Sequence, residues 1–188
     1  MSQGGSVTAD SNLVAIVDAA VAEAARRAGS WLLCRLGCTD CCMGPFPISP
    51  LDAQRLRNGL ARLAANDPAR ARQITARAQA AAGRLRTLVE EATENDPCPV
   101  LDPASGACDL YPFRPLVCRT FGPPLPMPEG GFAVCELCFN GAAPETVAAC
   151  AVSVDADALE APFLQALETQ GVSAQETTIA EAILQTDR

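Results

Sequence analysis

Ten of the 188 residues are cysteines and none is histidine. Without an imidazole the chain cannot build a Ser-His-Asp triad or a Cys-His pair. It cannot form a two-His-one-carboxylate iron site, a Cys2His2 finger or a His-ligated haem either. Any tightly held transition metal must be bound mainly by sulfur. The opening MSQGGSVTAD has no basic segment, and the apolar run LVAIVDAAVAEAA is broken by Asp18 and Glu23. It therefore reads as neither a secretion signal nor a membrane span. The expected setting is the cytoplasm, where so many cysteines argue for metal or redox chemistry over structural disulfides.

The cysteines are not scattered. Cys34, Cys38, Cys41 and Cys42 share the nonapeptide CRLGCTDCC. Cys98, Cys108, Cys118, Cys135 and Cys138 lie between residues 96 and 141. Two pairs, Cys38-Thr-Asp-Cys41 and Cys135-Glu-Leu-Cys138, have the C-x2-C spacing that aims two thiolates at one ion. Nine cysteines exceed the four that saturate a zinc ion or a cubane iron–sulfur cluster. Adjacent Cys41 and Cys42 would close a cramped ring on a single ion and suit different metal atoms better. Two centres, or one multinuclear centre with spare thiols, both satisfy the count. Either tetrathiolate would carry a charge of about −2. Arg114 and Arg119, flanking Cys118 in RPLVCR, are candidates to offset it or to meet a bound anion. Bracing of the loop through backbone carbonyls is the competing role for them. Cys150, among alanines and valines in VAACAVSV, reads as a small core residue.

Alanine is abundant and aromatics make up only 4% of the chain, which favours close-packed helices. Apolar spacing predicts a helix over 11–28, with Leu13, Ile16, Ala20 and Ala24 on one stripe, Val17 and Val21 widening it, and Asp10 or Ser11 as its cap. Ser49-Pro50 and Asp67-Pro68 resemble helix starts, predicting an antiparallel hairpin of helices 50–65 and 68–95. Nine of the fifteen prolines fall between Pro97 and Pro128, so no regular helix is expected over 96–141. PVLD and ACDLY, joined by the turn-like PASG, could pair as a short β-hairpin. Helices are expected over 156–170 and from Ser173, where Ser173 and Glu176 would form a capping box. The expected fold is mainly α: one domain of antiparallel helices around a cysteine-clamped, proline-rich lobe (34–49 and 96–141). The hairpin 50–95 is an insert, and 142–188 closes the chain.

Net charge is −8, so nucleic acid is not an expected partner. Eight of the fourteen arginines fall between Arg55 and Arg86, with Asp67 the lone acid among them. Such a face could bind an anionic partner; solvated helix faces are the plainer reading. No membrane association is expected. The partner, protein or small molecule, and the oligomeric state are left open.

CRLGCTDCC followed by CPVLDPASGACDLYPFRPLVCRTFG resembles the cysteine-cluster family (YkgJ-type, CxxCxxCC) of zinc- or iron-chelating domains. A similar cysteine-rich region occurs in flagellin lysine N-methylases. The matching positions are Cys38, Cys41 and Cys42; Cys98, Pro99 and Leu101; Cys108 and Tyr111; Arg114, Pro115, Cys118, Arg119 and Phe121. The gap from Cys34 to Cys38 is three residues where the family has two. The resemblance implies metal binding. Arg114 and Arg119, with the matching Tyr111, are the candidate cofactor-binding residues. It does not extend to a methylase, because no glycine-rich loop after a strand suggests a nucleotide or S-adenosylmethionine fold. The thiol excess and the adjacent pair favour an iron–sulfur centre, a 4Fe-4S cluster first, with a redox or catalytic role. A structural zinc-binding interaction module and a thiol redox sensor are the alternatives.

Overall fold

Two serine- or aspartate-proline steps open the two central helices. In the computed structural model, which describes residues 3–87 and 95–185, Ser49 caps α2 (Pro50–Asn66), its hydroxyl accepting from the Asp52 N–H at 3.1 Å. Asp67 caps α3 (Pro68–Thr87), its carboxylate accepting from the Arg70 N–H at 2.9 Å. Proline at the first helical position is preset for the turn and lacks only an N–H that would have no partner there. The two helices pack on each other with a one-residue link, as an antiparallel hairpin must. The expected end of α3 near Asn95 is not met: Asn95 lies in a turn, and Leu88 and Ala92 fall outside the described residues.

The chain folds as two compact units, each built from separated segments. One comprises residues 36–115 and 167–188, the other 1–35 and 116–166. In the first unit, α2 and α3 both pack on α7 (Ile179–Leu184). Leu56 and Ile74 are fully buried, and Ala81, Ala82 and Ala180 bring the helices close. Thr177–Thr178 (β4) pairs antiparallel with Pro47–Ile48 (β1). The capping box lies at Thr178 and Glu181, and no helix starts at Ser173. The same Ser/Thr-x-x-Glu spacing recurs a few residues on. Pairing the β-branched threonines with β1 holds that stretch extended and moves the helix start to its end.

Residues 96–110 lie in this same unit. The expected hairpin is realised as a single antiparallel bridge, Leu101 to Cys108. Asp102 N–H donates to Ala107 O, and Asp109 N–H to Val100 O, both at 2.8 Å. A short 3-10 turn, Tyr111–Phe113, then packs on α2. Arg62 stacks over the Phe113 ring at 5.6 Å, and Gly59 lies beneath it.

In the second unit, α1 (Gln3–Ala28) starts before the expected Asp10–Ser11 cap. No proline or glycine lies between Ser6 and Asp10, and extending a formed helix is cheap. Leu13, Val17, Ala20 and Ala24 are buried as expected; Ile16 is 47% exposed. Leu13 and Val17 pack with Leu116 of α4 (Leu116–Thr120). That helix contradicts the expectation of no regular helix over 96–141. Its proline is Pro115, just before the first residue, where a ring costs no hydrogen bond. Leu125–Pro126 (β2) pairs with Phe132–Ala133 (β3). Pro144–Ala149 (α5) and Ala156–Thr169 (α6, containing Pro162) follow.

Gly59 supplies a sign test. A Cβ there would come within 2.6 Å of Phe113 Cγ. Glycine-to-alanine inside a helix normally stabilises by about 1 kcal/mol, but overpacking costs roughly 1–3 kcal/mol. Gly59→Ala is expected to lower the urea midpoint of unfolding, followed by circular dichroism. A raised midpoint would show that Phe113 does not sit against α2.

Candidate metal centre

The sulfur-bearing segments of the first unit are stitched together by backbone. Cys98 N–H donates to Cys42 O at 2.8 Å, Gly44 N–H donates to Asp96 O at 2.8 Å, and Met43 bridges Pro97. The hairpin tip also closes on the cysteine loop: a Cβ on Gly106 would stand 3.1 Å from Gly37 Cα. Gly106 has φ +67°, so glycine is favoured there on both counts. The adjoining Asp102 carboxylate accepts from Ala104 N–H at 3.2 Å and from the Ser105 hydroxyl at 2.5 Å.

Within this frame the Cys41 and Cys42 thiols hydrogen-bond to each other. That contact, with burial and the charge of Cys42, pushes the Cys41 thiol far up from its ordinary range. Burial drives Cys98 up to about 12, while the backbone of Val100 and Leu101 pulls the other way; Leu101 N–H donates to Cys98 O at 3.0 Å. Cys108 is raised chiefly by burial and opposed by the Leu110 N–H, and it lies within electrostatic range of both Cys41 and Cys98. N–H donors aimed at sulfur favour thiolate, the form a metal binds. Arg114 favours the Cys108 thiolate by its charge and stacks on Tyr111, 3.9 Å from the ring centroid. Cys38 belongs to the same unit. This donor set, soft sulfur with backbone N–H support, fits a chelated zinc or iron ion. Among the described residues no three Cys, Asp or Glu side chains already converge closely enough to hold one.

Cys34, Cys118, Cys135 and Cys138 belong to the second unit. Leu33 N–H donates to Cys138 Sγ at 3.4 Å. The Cys135–Cys138 knuckle is closed by Cys138 N–H to Cys135 O at 2.8 Å, and Phe139 follows at φ +58°. A Cβ on Gly122 would come within 2.8 Å of Cys34 Sγ, so the thiol approaches this backbone only because glycine is there. Arg119 is buried and donates to Asp18 Oδ2 of α1 at 2.7 Å. Cys150 is buried with Ala28, Cys138 and Phe139.

Sequence reasoning read the arginines of α3 as part of a charged face and missed their internal partners. Arg70 Nε donates to Asp109 Oδ1 at 2.6 Å, Arg77 Nη2 to Asp109 Oδ2 at 2.8 Å, and Arg84 Nε to Asp96 Oδ2 at 2.6 Å. Three of the eight arginines in the charge run thus form an internal grip on the cysteine hairpin. The seven-residue spacing of Arg70, Arg77 and Arg84, which stacks them on one helix face, was the available signal.

A family model, CxxCxxCC, described as a "putative zinc- or iron-chelating domain", matches residues 33–129, just over half of the chain. Cys135 and Cys138 lie beyond the match. No curated protein and no solved structure matches the chain. Among the described residues no helix is long and apolar enough to cross a membrane.

The position of Cys98 carries a reactivity consequence. A thiol raised from 9.0 to about 12 holds far less thiolate at pH 8, and thiolate is the nucleophile. In chelator-treated protein, iodoacetamide is expected to label Cys98 about a hundredfold or more slowly before urea denaturation than after it. Peptide mass spectrometry reads the rates, and equal rates would contradict the buried placement.

Proposed function

This chain belongs to the CxxCxxCC family of zinc- or iron-chelating domains, and from that footing we propose that it holds an iron–sulfur centre with a redox role. The observation that carries the reading is the contact of the adjacent Cys41 and Cys42 thiols beside the backbone-supported sulfurs of Cys98 and Cys108. Neighbouring residues share one ion poorly, whereas a multinuclear core offers each a different iron. Cys41, Cys42, Cys98 and Cys108 would supply ligands to such a core, and their side chains would close on it as it binds. Cys38 is a candidate for the same centre, and the four cysteines of the second unit are candidates for a separate one.

When bound, the group would supply one-electron chemistry at a potential set by charge and by hydrogen bonds to sulfur. The chain's own contribution is the donor environment. The backbone at Cys98 and Cys108 stabilises the anionic sulfurs, and Arg77 and Arg114 add positive charge nearby. Burial of Cys98 limits the access of water and oxidants. A zinc centre is the second reading, favoured by the Cys135–Cys138 knuckle with its closed turn. Under it the metal is a structural clamp and the chain an interaction module.

Protein isolated without exposure to oxygen is expected to contain iron and acid-labile sulfide in equal amounts. It should show a visible charge-transfer absorption that dithionite bleaches. Colourless protein with zinc alone would sink the iron–sulfur reading and leave chelation standing.

A further inference from the structure

Arg77 touches both arms of the cysteine hairpin at once. Its Nε donates to Pro99 O, the carbonyl next to Cys98, at 2.8 Å. Its Nη2 donates to Asp109 Oδ2, the carboxylate next to Cys108, also at 2.8 Å. The Asp109 side chain is only 1% exposed, and its other oxygen accepts from Arg70. Arg84, two turns on, holds Asp96, whose own carbonyl accepts from Gly44 of the cysteine loop. Residues seven apart on a helix lie on nearly one line. Three guanidinium groups therefore run along the hairpin and fix it at Asp96, Pro99 and Asp109. The planar guanidinium of Arg77 can span two acceptors on different strands, which a lysine ammonium, a point charge, does less well.

We propose that Arg77, braced by Arg70 and Arg84, is the positioning residue of the metal centre, tying the Cys98 and Cys108 arms at the separation that retains the metal. The proposal rests on Cys98 and Cys108 being ligands. Residues that orient ligands without touching the metal typically govern its affinity by about 10- to 100-fold.

The test compares metal release into excess EDTA from wild-type, Arg77→Gln, Arg77→Lys and Leu56→Ala proteins, all isolated with their native metal. Metal retained after desalting and the visible spectrum are the readouts. Arg77→Gln should release metal about 10- to 100-fold faster with its helical circular dichroism retained. Arg77→Lys should fall between it and wild type. Leu56→Ala, which opens the α2 core and leaves every hairpin residue and its arginine partners in place, should stay near wild type. A wild-type release rate in Arg77→Gln, or equal acceleration in Leu56→Ala, overturns the proposal. Should Arg77→Gln fail to accumulate as folded protein, Arg77→Lys decides alone: faster release supports the clamp and an unchanged rate overturns it. The double variant Cys98→Ser/Cys108→Ser separates the two levels. Full metal content in it overturns the ligand assignment and the clamp together. Loss of metal there, with unchanged release in Arg77→Gln, overturns the clamp alone.

Discussion

The Asp109 carboxylate, buried between two guanidinium groups of α3, is the contact on which the first unit turns. Residues 96–110 carry prolines, short polar turns and few large apolar groups. A segment of that composition cannot offset its ordering entropy by hydrophobic burial alone. Hydrogen bonds to charged groups contribute roughly 1.5–3 kcal/mol each when the partners are well placed. The contacts of Arg70 and Arg77 with the buried Asp109 supply such bonds where the core supplies little; the more exposed Arg84–Asp96 pair supplies less. Removing Asp109 would take the carboxylate partner from Arg77, whereas removing either arginine leaves Asp109 paired with the other.

That arrangement joins stability to chemistry. The groups that hold the hairpin are one residue away from Cys98 and Cys108, so loosening the fold there displaces sulfur. Backbone bonds from Cys98 to Cys42 and from Gly44 to Asp96 carry the same grip into the cysteine loop. Glycine appears where another group must come close to the backbone: Gly106 beside Gly37 in one unit, Gly122 beside the Cys34 thiol in the other. The α2–α3 hairpin, a stretch with no cysteine, is thereby part of the scaffold of the sulfur site.

Much of the architecture was legible because it is local. Ser49-Pro50 and Asp67-Pro68 specify helix starts through side-chain capping and a preset dihedral, and both starts fall where expected. The PASG turn between PVLD and ACDLY forms because Asp102 and Gly106 satisfy it from within. The misplaced features depend on distant partners. Thr177 and Thr178 are extended because Pro47 and Ile48, far away in sequence, pair with them. Leu116–Thr120 is helical because Leu116 finds Leu13 and Val17 on α1. Ile16 fits the apolar spacing but Val17 takes the buried position, since periodicity gives a stripe and not its centre.

The sequence by itself determined the donor chemistry. Ten cysteines and no histidine leave sulfur as the metal ligand, and the CxxCxxCC spacing with C-x2-Y-x2-R-P-x2-C-R marks the chelating family. Tertiary structure decided which side chains stand together. It set Cys38, Cys41, Cys42, Cys98 and Cys108 in one compact unit and Cys34, Cys118, Cys135 and Cys138 in the other. It turned Arg119 to Asp18, stacked Arg114 on Tyr111 and gave the α3 arginines to the hairpin aspartates. The physical reason is range: ligand type and turn propensity are properties of a few neighbouring residues, whereas the partner of a charge is whatever the folded chain brings within a few ångströms of it.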